Sequence, residues 1–153
     1  MDGIDKSILR ILQADASLSN AAIAEKVGLS TTPCWRRIQR LEEGGVIQRR
    51  VALVDPHKIN LAVTVFVAVR TNQHSDEWFQ GFAEAVSDMP EVVEFYRMSG
   101  DIDYLLRVMV PDIDAYDQLY KRLIERVDLF DVSSSFAMER IKLTTALPVD
   151  YAD

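Results

Sequence analysis

Arginine, glutamine and tryptophan side chains recur at close spacing in the segment 33–43. Gln39 and Arg40 lie three and four residues after Arg36, so in an α-helix the three side chains share one face. A guanidinium group can donate two hydrogen bonds to the edge of guanine, and a glutamine amide can pair with adenine. Trp35 could pack on thymine methyl groups or sugars, or could lie at the edge of a core. This pattern indicates a helix that reads base edges in the major groove of double-stranded DNA.

The flanking residues predict where this helix begins and ends. Thr32 is a candidate N-cap, Pro33 suits the first helical position, and Gly44-Gly45 suits a left-handed stop. These signals predict a helix of about three turns. Its opposite face would be apolar and would consist of Cys34, Ile38 and Leu41.

Two further helices are predicted upstream. Residues 18–27 form a short helix that Ser19 caps and Gly28 ends, and the turn into the next helix completes a helix-turn-helix. Residues 5–14 repeat apolar side chains at helical spacing, which predicts a helix that packs behind the other two. Downstream, the alternating segment 46–54 predicts a strand or a two-stranded wing.

Positive charge is concentrated in the N-terminal part of the chain. The whole chain has a net charge of −7, but residues 1–60 carry +2 and residues 61–153 carry −9. Such asymmetry indicates a nucleic-acid-binding module joined to a different domain. Lys26, Arg49 and Arg50 are then candidates for phosphate contacts. The alternative, that these cations form only the solvated face of a helical hairpin, stays open.

A second domain follows the polar segment 55–60, which contains Pro56 and predicts a linker between domains 1–60 and 61–153. Beyond the linker the order is strand, helix, strand, strand, helix, strand. The predicted strands are 61–69, 92–99, 104–110 and 132–147, with a bend near Glu139-Arg140, and the predicted helices are 75–88 and 112–127. This order predicts an α+β chain in which a helix-turn-helix (winged-helix-like) domain precedes a ferredoxin-like βαββαβ domain.

Strands 61–69 and 104–110 are apolar on both faces, although helices would cover only one face of such a sheet. An open apolar face of this size exceeds what soluble monomers usually expose. The sequence therefore predicts a homodimer that forms through the sheets.

The sequence argues against metal and covalent chemistry. A single cysteine, Cys34, excludes an intramolecular disulfide, and His57 and His74 do not have zinc-ligand spacing. No third group is present to orient a catalytic cysteine and histidine, so we predict no enzyme activity, no catalytic residues, no metal site and no cofactor. The chain has no run of about 18 apolar residues, which predicts a cytoplasmic protein with no membrane partner.

Several motifs resemble those of one family of regulators. They are Ile4-Asp5 with Ile8-Leu9, Val27-Gly28-Leu29-Ser30 with Thr32-Pro33-Cys34, Arg40-Leu41-Glu42 with Gly45-Val46-Ile47, and Ser99-Gly100-Asp101-Ile102-Asp103-Tyr104. On these residues the chain resembles the Lrp/AsnC (feast/famine) transcriptional regulators over essentially its whole length. The resemblance implies DNA binding, dimers that assemble into octamers, and a small amino-acid effector bound in the C-terminal domain.

The resemblance also implies roles for individual residues. DNA contact is implied for Thr31, Thr32, Trp35, Arg36, Gln39 and Arg40, with Arg49 and Arg50 on phosphates. Effector contact is implied for Gly100, Asp101, Asp103 and Tyr104, with Ser134 where many relatives carry threonine. Aspartate can pair with the ammonium group and backbone N–H groups with the carboxylate, although the same turn is also ordinary hairpin chemistry. Trp35-Arg36 and the segment 136–142 resemble the branch that responds to cysteine.

Two functions are compatible with these features. The first is a sequence-specific DNA-binding transcriptional regulator whose DNA binding or assembly is modulated by a small amino acid. The alternative is an amino-acid-binding regulatory subunit of a metabolic enzyme, in which the N-terminal helices bind protein. The cationic edge of the helix at 33–43 favours the first.

Overall fold

Three helices form the N-terminal unit. The structure is a computed structural model that describes residues 1–152; Asp153, the last residue of the predicted second domain, lies outside them. The helices are α1 (Gly3–Ala14), α2 (Asn20–Lys26) and α3 (Thr31–Glu43). In the turn between α2 and α3, Gly28 has a φ of 70°, a conformation that glycine adopts without a steric cost. The predicted helix-turn-helix is confirmed.

The caps explain where these helices begin. The Asp2 side chain caps α1 in a reciprocal pair with Asp5, and the Ser19 hydroxyl accepts a hydrogen bond in the first turn of α2. For α3, however, the N-cap is Ser30, so the prediction that Thr32 caps the helix and Pro33 opens it was wrong. Pro33 is instead the third helical residue, and its ring is tolerated there because N–H groups of the first turn have no intrahelical partner.

The core of the N-terminal unit is formed by the inner faces of these helices. Cys34, Ile38 and Leu41 are buried, as the apolar stripe of α3 predicted. Burial raises the pKa of the Cys34 thiol, so this cysteine is a small core side chain rather than a reactive thiolate. The other buried members of this core are Ile8, Leu9, Leu12, Ile23 and Ala24.

The segment that follows α3 is not a strand. Residues 46–54 pair with no other strand in the described range 1–152, and the chain continues into a 3-10 helix at Pro56–Ile59. Within residues 1–152, the strand predicted over 46–54 is therefore not formed. An extended segment becomes a strand only when a partner satisfies its N–H and C=O groups, and alternation of side chains does not supply that partner.

The C-terminal segment packs with the N-terminal helices. Contacts group residues 141–152 with Met1–Leu53, and Val54–Arg140 form the second unit. The Gln13 side-chain amide donates to the Leu147 carbonyl at 3.1 Å and accepts from the Leu147 N–H at 2.6 Å. The predicted domains, 1–60 and 61–153, place this segment with the sheet, because periodicity does not reveal which unit a terminal segment contacts.

The second unit is a four-stranded antiparallel sheet with two helices. Its elements are β1 (Val63–Arg70), α4 (Asp76–Ser87), β2 (Val92–Arg97), β3 (Tyr104–Val110), α5 (Ile113–Arg126) and β4 (Asp131–Phe136), with strand order β2-β3-β1-β4. This confirms the predicted α+β, ferredoxin-like βαββαβ fold. The strand predicted over 132–147 is too long, since β4 ends at Phe136 before the predicted bend. Beyond it the Ala137 N–H still donates to the Thr64 carbonyl at 2.9 Å, but residues 138–152 belong to no strand.

Alternate residues of the central strands face the two helices. Val65, Val67 and Val69 of β1 are buried, and they pack with inward-facing residues of β3 and with α4 and α5. The opposite face carries Phe66, whose neighbours across the ladders are Arg107 and Ser135. Phe66 is 38% exposed. The helix-free face is therefore partly apolar, as predicted from the two-sided apolar strands.

Candidate nucleic-acid interface and effector turn

The outward edge of α3 consists of polar side chains. Arg36 is exposed, the Arg40 side chain is 66% exposed and Gln39 is half-buried. Trp35 is 42% exposed, so its ring lies outside the buried core of this unit. Because the inner face of the helix is fully packed, these side chains can only point away from the core. All four side chains are therefore at least partly accessible, as contact with DNA bases requires.

The N-terminal end of α3 adds backbone donors to this edge. The N-cap residue Ser30 makes no side-chain cap hydrogen bond, so the N–H groups of Thr31 and Thr32 have neither an intrahelical nor a capping acceptor. Both residues are exposed. Free N–H groups at the positive end of a helix favour phosphate oxygens. This geometry explains how the turn before α3 could lie on a DNA backbone.

Arg37 belongs to the packing of the unit and not to its outward edge. Its Nη1 atom donates to Asp2 Oδ2 at 2.7 Å and to Asp5 Oδ1 at 2.8 Å, and so ties α3 to the start of α1. Asp5, and then Asp2, raises the pKa of Arg37. The N–H of Asp5 and the Arg37 guanidinium lower the pKa of Asp2. Sequence reasoning missed this cluster, because Asp2 and Asp5 at the start of a helix are already accounted for by capping and by the helix dipole.

The remaining candidate phosphate-binding cations are Lys26 at the end of α2 and Arg49 and Arg50 after α3, and they differ in their partners. Arg50 Nη2 is 3.0 Å from Glu42 Oε1, and both side chains are partly exposed. Arg49 and Lys26 are exposed. A phosphate would have to compete with Glu42 for Arg50, whereas a surface ion pair of this kind contributes little stability. All three cations are therefore accessible to solvent, and only Arg50 of the three would have to give up an ion pair within residues 1–152 to bind a phosphate.

In the second unit, the β2–β3 turn is held by a network of backbone hydrogen bonds. Gly100 has a φ of 112°, which a side chain at this position would oppose. The Asp103 carboxylate oxygen Oδ2 accepts the N–H of Thr71 at 2.8 Å, and the Asp103 N–H donates to the Val69 carbonyl at 3.0 Å. Asp103 thus fastens the turn to the end of β1. Its other carboxylate oxygen accepts no hydrogen bond within residues 1–152.

Asp101 and Tyr104 have opposite environments within this turn. Asp101 is exposed, and its backbone carbonyl accepts the Arg70 Nε–H at 2.8 Å. Tyr104 is only 6% exposed, and its ring packs against Phe82 with ring centroids 5.2 Å apart. The predicted cleft residue Tyr104 therefore supports the turn from inside the core.

Ser134 is not brought to the turn. It lies on β4 opposite Val67, and β1 separates β4 from β3. Its hydroxyl forms a hydrogen bond with the hydroxyl of Tyr116 on α5. Burial raises the pKa of Tyr116, so the phenol remains protonated in this contact. The structure thus brings together Gly100, Asp101 and Asp103, and leaves Ser134 apart.

Two cavities lie away from the predicted effector residues. One, of about 480 Å³, is lined by the end of α5, the segment that follows it and the start of β4, including Ile124, Asp128 and Phe130. The other, of about 720 Å³, lies in the N-terminal unit and includes Arg49 and Arg50. Within residues 1–152, histidine, cysteine and carboxylate side chains form no group that could hold a metal ion. No helix in the same range is both long and apolar enough to cross a membrane.

Comparison with known families identifies the two units. Residues 1–48 match the winged helix-turn-helix DNA-binding model, and residues 64–147 match the Lrp/AsnC ligand binding domain. The chain belongs to the Lrp/AsnC family. It is 52% identical to the DNA-binding transcriptional activator DecR of Escherichia coli (strain K12), over 98% of this chain and 99% of DecR.

Solved structures of Lrp/AsnC proteins agree. A crystal structure of an AsnC family transcriptional regulator from Agrobacterium tumefaciens has a TM-score of 0.96 and 66% identity, and covers 99% of both chains. A transcriptional regulator from Neisseria meningitidis, in complex with L-Met, has a TM-score of 0.94 and 33% identity, and covers 98% of this chain and 97% of that one.

These similarities confirm, at the level of the Lrp/AsnC family, the predicted function as an amino-acid-modulated DNA-binding transcriptional regulator. The chain is a regulator and not an enzyme. The alternative of an enzyme's regulatory subunit has no support among these relatives.

Proposed function

We propose that this regulator reads DNA with the outward edge of α3 and that an amino acid bound at the β2–β3 turn controls it. The observation that carries the proposal is the contrast between the two faces of α3, one packed and one presenting Arg36, Gln39 and Arg40 to solvent. Arginine and glutamine are the side chains that pair bidentately with guanine and adenine. Trp35 packs on thymine methyl groups or sugars beside these base contacts. The phosphates are contacted by Thr31, Thr32, Arg49 and Arg50.

The proposed effector site uses the chemistry of a free amino acid. Its ammonium group binds the exposed Asp101 carboxylate and the unpartnered oxygen of Asp103, since charge-assisted hydrogen bonds to carboxylates are strong. Its carboxylate accepts hydrogen bonds from backbone N–H groups of the turn at Gly100. Cysteine is the first effector to test, because Trp35-Arg36 and the segment 136–142 resemble the cysteine-responsive branch.

We further propose that the regulator is a homodimer in which the helix-free faces of two sheets pack together, and that dimers assemble into octamers. The partly apolar face around Phe66 supports this proposal, because a second copy would bury it. A dimer would also present two copies of α3 to a pseudo-palindromic site.

The proposal is tested by measuring DNA affinity with and without amino acids. Duplexes that the protein selects from a random pool supply the operator, and fluorescence anisotropy gives the affinity in the presence of each common amino acid. We expect at least one amino acid to change the operator affinity by about 5- to 150-fold, the usual range for coupled sites. An operator affinity that no amino acid changes would remove the effector from the proposal.

Replacing Asp103 with asparagine separates effector binding from folding. We expect Asp103→Asn to weaken effector binding by about 10- to 150-fold, because hydrogen bonds to charged groups contribute about 1.5–3 kcal/mol. The asparagine carbonyl can still accept the Thr71 N–H, so the melting temperature should stay close to that of the wild type. Calorimetric titration and thermal unfolding give the two quantities.

Asp103→Ala serves as the matched comparison. It removes the acceptor of the Thr71 N–H, and Thr71 is only 8% exposed, so it should also destabilise the unit by about 1–3 kcal/mol. The sequence alone predicts little stability cost for this substitution, because the bond to Thr71 is not visible in it. If Asp103→Asn binds the effector like the wild type, Asp103 has only the structural role.

A further inference from the structure

A buried carboxylate lies directly behind the outward edge of α3. Asp5 is 6% exposed and belongs to the first turn of α1. Its Oδ1 atom is 2.8 Å from Arg37 Nη1 and 3.5 Å from Arg40 Nη2. The two arginines differ in exposure: the Arg37 side chain is 25% exposed, whereas the Arg40 side chain is 66% exposed. Asp5 therefore contacts both Arg37, which is packed within the unit, and Arg40, whose side chain is exposed to solvent.

The charges around Asp5 explain why Arg40 is drawn toward it. Arg36, Arg37 and Arg40 lie on the same helix, and cations three or four residues apart repel one another. Asp2 faces Arg37 and has no contact with Arg40, whose only ion-pair partner within residues 1–152 is Asp5. The N-terminal end of α1 also favours a negative charge at Asp5. One carboxylate oxygen thus contacts both guanidinium groups, closely at Arg37 and at the outer limit of a hydrogen bond at Arg40.

We propose that Asp5 is a positioning residue for Arg40 in sequence-specific recognition. By holding the guanidinium group before DNA arrives, Asp5 reduces the side-chain freedom that Arg40 loses on pairing with a base. Its negative charge also weakens attraction to phosphates that offer no base contact. Asp5 therefore raises affinity for the operator and lowers affinity for other DNA. This inference depends on the proposed role of Arg40 as a base-reading residue.

The experiment compares Asp5→Asn with Asp2→Asn in the full-length protein. Both substitutions remove one negative charge from the first turn of α1, and both remove a partner of Arg37, but only Asp5 contacts Arg40. Anisotropy gives the affinity for the selected operator and for a random duplex at one salt concentration. For Asp5→Asn we expect the ratio of the two affinities to fall by about tenfold, with tighter binding to the random duplex.

The matched control should behave differently. Asp2→Asn should also bind the random duplex more tightly, but its ratio should fall by less than the ratio of Asp5→Asn. A loss of folded protein would weaken binding to both duplexes. Positioning by Asp5 instead predicts that Asp5→Asn binds the operator more weakly and the random duplex more tightly. An Asp5→Asn ratio equal to the wild-type ratio, or no lower than that of Asp2→Asn, would overturn the proposal.

Arg40→Ala separates failure of this inference from failure of the proposed function. If Asp5 acts through Arg40, adding Asp5→Asn to Arg40→Ala should cause no further loss of specificity. If Arg40→Ala leaves operator affinity unchanged, the base-reading role of Arg40 fails. If Arg40→Ala weakens operator binding but Asp5→Asn does not, only the positioning role fails.

A measurement on the wild-type protein keeps the inference testable if Asp5→Asn does not fold. Nitrogen-15 relaxation of arginine Nε–H groups reports side-chain order, and Arg36 is the internal reference because it makes no ion pair within residues 1–152. We expect the Arg40 guanidinium to be more ordered than that of Arg36 in the absence of DNA. Equal disorder of the two groups would contradict positioning by Asp5.

Discussion

Replacing Arg36 and Arg40 together with alanine is expected to lower affinity for the operator by about 30- to 25,000-fold, since each bidentate base contact contributes about 1–3 kcal/mol. Both side chains are exposed on α3, and the core beneath them consists of other residues. The fold should therefore tolerate the change. Fluorescence anisotropy with the selected duplex measures the loss, and circular dichroism checks the helix content.

Arg97→Ala controls for the effect on operator affinity of removing a positive charge outside α3. Arg97 is an exposed cation at the end of β2, in the other unit. Its replacement should leave operator affinity within about twofold of the wild type. A double variant at 36 and 40 that binds the operator as tightly as Arg97→Ala would show that α3 does not read the bases.

Replacing Phe82 with alanine is expected to destabilise the second unit by about 3–5 kcal/mol, as large-to-small changes of fully buried aromatic residues do. Phe82 is 0% exposed, and its ring lies 5.1 Å from that of Phe95 and 5.2 Å from those of Trp78 and Tyr104, measured between centroids. Losing the ring leaves a cavity among three aromatic neighbours. Because Tyr104 directly follows the effector turn, effector binding should weaken as well. Urea unfolding, followed by tryptophan fluorescence, measures the change.

Phe79→Ala is the matched comparison on the same helix. Phe79 is 39% exposed and touches the cluster through Tyr104, with ring centroids 5.9 Å apart. Since water already reaches part of this ring, its removal should cost no more than about 1.5 kcal/mol. A loss of stability in Phe82→Ala no larger than that in Phe79→Ala would contradict the central position of Phe82.

The features that could be predicted from sequence are those that periodicity and turn chemistry report. The spacing of Cys34, Ile38 and Leu41 identified the buried face of α3, and therefore the face that carries Arg36 and Arg40. Short apolar runs, helical spacing and turn residues predicted the order of strands and helices in the second unit. These signals lie within short stretches of sequence, so they can be recognised without knowing which distant residues pack together.

The features that were missed depend on distant partners. Arg37 lies next to Arg36 in sequence but pairs with Asp5, which is 32 residues away, and no periodicity reports that pair. Tyr104 closes the turn motif, yet its parity on β3 places its ring in the core. Ser30 and Thr32 are both good N-caps, so residue preference alone could not choose between them.

The salt dependence of operator binding by the wild-type protein tests the proposed DNA interface most directly. Anisotropy titrations over a series of salt concentrations give the slope of log affinity against log salt. If the α3 edge and the cations around it lie on DNA, affinity falls steeply and linearly on this plot, because bound phosphates release counterions. The slope should also become shallower in the Arg36→Ala, Arg40→Ala double variant if either arginine contacts phosphate. Failure to form any duplex complex at low salt, or an affinity that does not change with salt, would contradict recognition of DNA by this face.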